Sequence, residues 1–144
     1  IEKGHAAGNE LTGQTTARDL GMGRMVSKKK DSIGNILSER PELNRKDSLT
    51  LMGFRPVKRE ESLAAGAHFI SVGRETNLEN DEGWMSSVAH SPSLGHHIGL
   101  GFIKRGHERV GEFVLAADPL RGKEIEVEIV SPHFIDPEGK RLRV

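Results

Sequence analysis

The side chains that could do chemistry here are Glu2 in the opening Ile-Glu-Lys-Gly, the basic run Lys28-Lys29-Lys30, the histidines at 90, 96 and 97, and Ser91 and Ser93 flanking Pro92. Seven histidines invite a metal hypothesis. On a strand, however, His96 and His97 would point to opposite faces, and no carboxylate stands at a ligand spacing nearby. The H-E-x-x-H pattern is absent as well. No metal site is expected; the histidines read as surface or hydrogen-bonded groups, with His96 holding the turn Ser91 to His96. The serines lack the G-x-S-x-G elbow that exposes an activated hydroxyl, so they read as turn residues, and no catalytic residue is expected in the chain. Gly21-Met22-Gly23 and Gly99-Leu100-Gly101 do not form G-x-G-x-x-G between a strand and a helix, which argues against a dinucleotide site. Trp84, the single tryptophan, could stack on a flat ring but reads first as core or a barrel plug. Taken alone, Glu2 is a solvated strand charge and the lysine run a solvated face.

These residues must be placed by two kinds of element. Residues 1 to about 43 are polar and glycine-rich, and read as helix and loop. Thr16 with Asp19 resembles a helix start, shortened by Gly21 and Gly23. A second helix is expected where Asp31 or Ser32 can cap, Ile33, Ile36 and Leu37 share a face, and Pro41 ends the pattern. After Asn44 short apolar runs recur roughly every eight to twelve positions, the spacing of an all-β sandwich or barrel. Expected strands are Leu49 to Arg55, Ala67 to Val72, Trp84 to His90, His97 to Lys104, Val110 to Ala117, Ile125 to Val130 and Arg141 to Val144. In the clearest, Ile125, Val127 and Ile129 alternate with Glu124, Glu126 and Glu128, so one face is buried and the other wet. Asp118-Pro119-Leu120-Arg121-Gly122 and Asp136-Pro137-Glu138-Gly139 are turns that suggest antiparallel neighbours. Gly99 and Gly101 share one face of a strand, so another group must approach that bare backbone, a crossing strand or barrel corner more readily than a ligand.

At 144 residues the chain can bury a core of its own. Its 21 Lys and Arg balance 21 Asp and Glu, which removes the electrostatic footprint of a nucleic-acid binder. There is no cysteine and hence no disulfide framework. No apolar run of about eighteen residues and no charged-then-apolar leader is visible, so no membrane partner is expected and the cytoplasm is the default location. The chain opens on Ile1 and reads as an excised piece of a longer polypeptide.

Ser91 to Gly101, SPSLGHHIGLG, followed by Ile125 to Gly139, IEVEIVSPHFIDPEG, resembles the tail that closes the folate-binding aminomethyltransferase family, that of the glycine-cleavage T-protein. Gly4 to Asp31, the stretch Ala65-Gly66-Ala67-His68-Phe69 and the ending Asp136 to Val144 are similar to one branch of it, the alpha subunits of heterotetrameric sarcosine oxidases. Glycine-cleavage members carry Leu-Tyr-Gly and T-P-x-E where this chain has Ala6-Ala7-Gly8 and Thr15 to Asp19. Ser32, where an aromatic is usual, and His90, where Tyr is common, depart from the oxidase pattern.

The resemblance implies a mainly β chain with a short α+β N-terminal part: residues 1–45 would end the folate-binding body and 46–144 would form the antiparallel C-terminal β-barrel. It implies tetrahydrofolate as cofactor, with FAD or FMN and NAD elsewhere in the parent complex, and the other oxidase subunits as partners. Glu2 matches the carboxylate of the family's R-L-E-x-G signature, which grips the pterin. One ionised carboxylate can accept the ring's exocyclic amine and adjacent N–H in a fork. One of Lys28, Lys29 and Lys30 would meet the carboxylates of the folate's glutamate tail. The family's reacting aspartate lies outside the chain, so this piece would be catalytically silent within an oxidoreductase. The alternatives are a glycine-cleavage aminomethyltransferase, a dimethylglycine-oxidising relative, or a lobe that serves only interaction.

Overall fold

Strands β1 (Leu49–Pro56), β2 (His68–Ser71), β3 (Asp81–Ser91), β4 (His96–Lys104), β5 (Phe113–Asp118) and β6 (Lys123–Val130) form a closed barrel in the order β1-β4-β3-β2-β5-β6. The structure is a computed structural model, and it describes residues 1–27, 29–30 and 32–143. Every neighbouring pair is antiparallel, and the β1–β6 pairing, with Phe54 opposite Ile129, shuts the sheet. Closure leaves no free edge in the barrel.

Alternation along the strands decides what fills the interior. Phe54, Phe69, Met85, Ile103, Val114, Val127 and Ile129 are all fully buried there. Phe54 and Phe69 stack at its centre with ring centroids 4.0 Å apart and planes 18° from parallel. Each such side chain contributes about 1.5–3 kcal/mol relative to exposure. Gly99 and Gly101 belong to this inner face. A β-carbon on Gly101 would lie 2.6 Å from the Trp84 carbonyl oxygen and 3.0 Å from both the Met85 Cα and the Phe69 ring, so a crossing strand and core side chains fill the space, not a ligand.

The opposite face of β1 and β4 is also buried. Leu51, Leu100 and Phe102 form a second cluster, covered by Ile1, Ala6, Leu20 and Phe134. The chain's beginning is thus laid over the outside of the barrel. It is tied there through main-chain groups: Leu51 N donates to Asp19 O at 2.7 Å, and Phe134 N and Ile135 N donate to Glu2 O at 3.0 and 3.2 Å. Lys3 Nζ pairs with Asp136 at 3.0 Å. At the other end of the barrel, Arg109 reaches Glu82 on β3 and Glu112 before β5, each at 2.8 Å, and the two carboxylates raise its pKa against the opposing effect of burial.

Several expectations need correction. Thr16 and Asp19 do form the reciprocal cap, Thr16 N and Oγ1 both donating to Asp19 Oδ2 at 2.8 Å, but only a turn follows, with a single 3₁₀ turn at Gly23–Met25. The second helix shrinks to α1 (Asn35–Ser38), which starts at Gly34 in a left-handed conformation with no side-chain cap, so Ser32 does not cap it. Asp31 lies outside the described residues. The face of Ile33, Ile36 and Leu37 is exposed rather than buried, and a short helix without packing has little to sustain it. No strand is present among the described residues of the N-terminal part. Lys140–Leu142 is a 3₁₀ turn, not a strand, and Val144 lies outside the described residues. β3 begins at Asp81, ahead of Trp84, and β5 at Phe113, after Val110.

Candidate functional site

Strand β3 carries the site along its outer face, because the first twenty residues run beside it in the opposite direction. Its serines hold two carboxylates of that segment. Near the strand's end, Ser91 Oγ donates to Glu2 Oε1, and Ser93 Oγ, in the β3–β4 turn, donates to Glu2 Oε2 at 3.3 Å. These donors, Ser91 above all, outweigh desolvation and keep the Glu2 carboxyl below the ordinary glutamate range. Glu2 is therefore ionised at neutral pH.

Midway along β3, Glu10 is completely buried. Its Oε1 accepts from Ser86 Oγ and, at 2.6 Å, from Ser87 Oγ; its Oε2 accepts from Ala7 N at 2.8 Å. Consecutive strand residues should face opposite ways. A bulge between Met85 and Ser87 breaks that rule and lets both hydroxyls reach one oxygen. Burial pushes the Glu10 carboxyl up, but the two serines and the amide together hold it lower than usual. Sequence reading missed this group. Its signal was the polar pair Ser86-Ser87 in the middle of an apolar strand.

At the start of β3 the segment stands off the barrel and leaves a cleft of about 430 Å³. Trp84 and Phe102 lie on its floor with ring centroids 5.6 Å apart, and Asn9, Gln14, Asp19 and Arg45 are among its polar lining. Trp84 is 37 % exposed, so it is neither core nor plug. Its ring is free on the cleft side.

Of the basic run, Lys29 and Lys30 are exposed, and Lys28 lies outside the described residues. Nothing brings Lys29 or Lys30 into hydrogen-bond contact with Glu2 among the described residues. The turn between β3 and β4 is held by Ser91 and not by His96: Leu94 N donates to Ser91 Oγ at 3.1 Å and Gly95 N to Ser91 O at 2.8 Å. The buried His96 instead sets its Nδ1 2.7 Å from the carbonyl oxygen of His97, whose ring meets His90 edge-on at 5.6 Å. Among the described residues no three His, Asp or Glu side chains gather as a metal would need. No described helix is long and apolar enough to cross a membrane.

The geometry can be set beside known proteins. The chain is 39 % identical over its whole length to a protein named sarcosine oxidase subunit alpha from Rhizobium meliloti (strain 1021), and 36 % identical over 97 % of its length to one of the same name from Corynebacterium sp. (strain P-1). It spans 15 % of the length of each of these relatives. Its fold matches the crystal structure of glycine cleavage system aminomethyltransferase T from Bartonella henselae with a TM-score of 0.74, covering 94 % of this chain and 37 % of that one at 23 % identity. Residues 50–136 match the glycine cleavage T-protein C-terminal barrel domain, and they take in all but the first residue of β1 and everything through β6. The chain belongs to that barrel-domain family.

Proposed function

We propose that this chain is the folate-holding tail of a cytoplasmic sarcosine oxidase alpha subunit, with residues 1–45 ending the folate-binding body and 46–144 forming the barrel that closes over it. The observation that carries this reading is Glu2. Its ionised carboxylate has about four acceptor positions, of which the serines occupy two, so it can still receive the paired N–H donors of a pterin edge. These free acceptor positions suit the pterin edge of tetrahydrofolate. The exposed Lys29 and Lys30 suit the carboxylates of its glutamate tail, together with Lys28.

Tetrahydrofolate, when bound, supplies the amine that accepts the one-carbon unit from oxidative demethylation of sarcosine, giving 5,10-methylenetetrahydrofolate. Glu2 binds and orients; it moves no proton. Holding the acceptor in place replaces a bimolecular encounter by an internal one. The tail is catalytically silent, and the oxidation belongs to the parent oxidoreductase, whose FAD or FMN and NAD sit in other parts of the complex with the remaining subunits. Identity of 39 % across the whole of this chain, which matches 15 % of a protein so named, supports the oxidase over an aminomethyltransferase.

Calorimetry with tetrahydrofolate or folinate on the full-length parent tests the reading. Glu2→Ala is expected to weaken binding about tenfold or more, the scale of a lost charge-assisted pair. A Glu2→Ala parent that bound as tightly as wild type would remove the carboxylate from the site.

A second reading, an interaction lobe without ligand contacts, is favoured by one observation: Met25, Ile33 and Ile36 are almost wholly exposed on the N-terminal part. On that reading, replacing Met25, Ile33 and Ile36 with Ser weakens assembly while leaving folate affinity intact.

A further inference from the structure

We infer that Ser91 is a positioning residue for Glu2: the β3–β4 hairpin orients the ligand-binding carboxylate through this one buried hydroxyl. The inference rests on the folate reading above and adds a residue to it.

The hydrogen-bond chain has a fixed direction. Leu94 N–H can only donate, and it donates to Ser91 Oγ at 3.1 Å. The hydroxyl's single proton is then directed to Glu2 Oε1. Ser91 is 1 % exposed, so water does not compete for that proton. The turn behind it is closed by Gly95 N donating to Ser91 O at 2.8 Å. On the other side, the Glu2 main chain is pinned where its carbonyl accepts from Phe134 N and Ile135 N. With the backbone and one carboxylate oxygen both held, the settings open to the carboxylate are restricted, and the acceptor positions it offers a ligand are preorganised. Ser93, exposed and at 3.3 Å, adds a weaker second tether. A barrel turn far along the chain thereby sets the geometry of a carboxylate at its start. The hydrogen bond from Ser91 also keeps the carboxyl ionised at lower pH than an ordinary glutamate.

The test uses the full-length polypeptide with folinate as the probe, read by calorimetry across pH, on Ser91→Ala, Ser91→Cys, Glu2→Gln and the Ser91→Ala/Glu2→Gln pair. Ser91→Ala is expected to weaken binding about tenfold at neutral pH, the range for a hydrogen bond to a charged group. It should also move the acid limb of the affinity profile to higher pH, because the carboxyl loses the donor that held its proton affinity down. In the Glu2→Gln background the same change should add little, since residues acting as one unit are non-additive. A hydroxyl that only supported the fold would lower affinity equally in both backgrounds and leave the acid limb in place, which overturns the inference. If Ser91→Ala does not fold, Ser91→Cys decides: its thiol is a weaker donor of nearly the same shape, so a smaller shift of the same limb supports the inference and an unmoved limb overturns it. Should Glu2→Gln itself leave affinity unchanged, the folate reading fails, a result distinct from Glu2→Gln weakening binding while Ser91→Ala does not.

Discussion

Ser86 and Glu10, 76 positions apart in sequence, share a buried hydrogen bond that fastens the N-terminal segment to strand β3. Ser87 and the Ala7 amide complete the shell, so the carboxylate is charged, dry and satisfied at once. Removing it leaves the Ser87 hydroxyl and the Ala7 amide without their acceptor, while Ser86 Oγ keeps the Leu100 carbonyl oxygen at 3.1 Å. Glu10→Ala is expected to cost about 1–3 kcal/mol in a urea melt. Amide exchange of residues 5–20 should accelerate more than that of the barrel strands. A variant with wild-type exchange in that segment would show that the apolar cluster beneath it is sufficient.

Acid should loosen the molecule in a defined window. Glu2, Glu10, Glu112, Asp118 and Asp136 are all held below their ordinary values, the last three mainly by Arg109, Arg121 and Lys3 respectively. A depressed folded-state pKa means that the unfolded chain takes up protons first on acidification. The stabilisation is therefore complete above the ordinary carboxylate range, about pH 4–4.5, and is lost as pH falls through the lower folded values. Thermal melts should be flat from neutral pH to about 5 and decline below about 4. A Tm that began to fall near pH 6 would implicate histidines instead.

Two neighbouring glycines should respond differently to a methyl group. At Gly101 the added carbon meets main-chain atoms, the Trp84 carbonyl and the Met85 Cα, which cannot yield without moving β3. Gly101→Ala is expected to cost about 1–3 kcal/mol or more. At Gly99 the nearest atom is the Met85 sulfur at 2.8 Å, the end of a flexible side chain. Gly99→Ala should cost less, and denaturant midpoints of the two variants measure the difference.

The barrel was legible where burial on one face forces a period of two. The Ile125, Val127 and Ile129 alternation marked β6, and the Asp118 and Asp136 turns appeared where Pro and Gly placed them, with Arg121 N donating to Asp118 O and Gly139 N to Asp136 O. The candidate site was only half legible. Glu2 stood out by its motif, but no local pattern links it to Ser91, because that contact exists only once the hairpin is folded. Glu10 was hidden for a related reason: a bulge alters which way Ser86 and Ser87 face, and alternation arguments assume there is none. Trp84 was assigned inward for want of any sign that the segment above it leaves a cleft. Helix periodicity misled at Ile33, Ile36 and Leu37, since an apolar stripe records that something covers it without saying what.

That stripe yields a prediction that separates the chain alone from the longer polypeptide proposed for it. Ile36 is 84 % exposed and Ile33 entirely so. In the 144-residue chain, replacing both with Ser should alter stability by no more than about 0.5 kcal/mol per site, as for other uncommitted surface positions. If the rest of the parent packs on this face, the same changes in the full-length polypeptide should cost about 1.5–3 kcal/mol each, the value of burying an isoleucine side chain. Equal, small effects in both contexts would leave the stripe uncovered in the parent and remove the main support for an interaction lobe, while the folate reading at Glu2 would stand untouched.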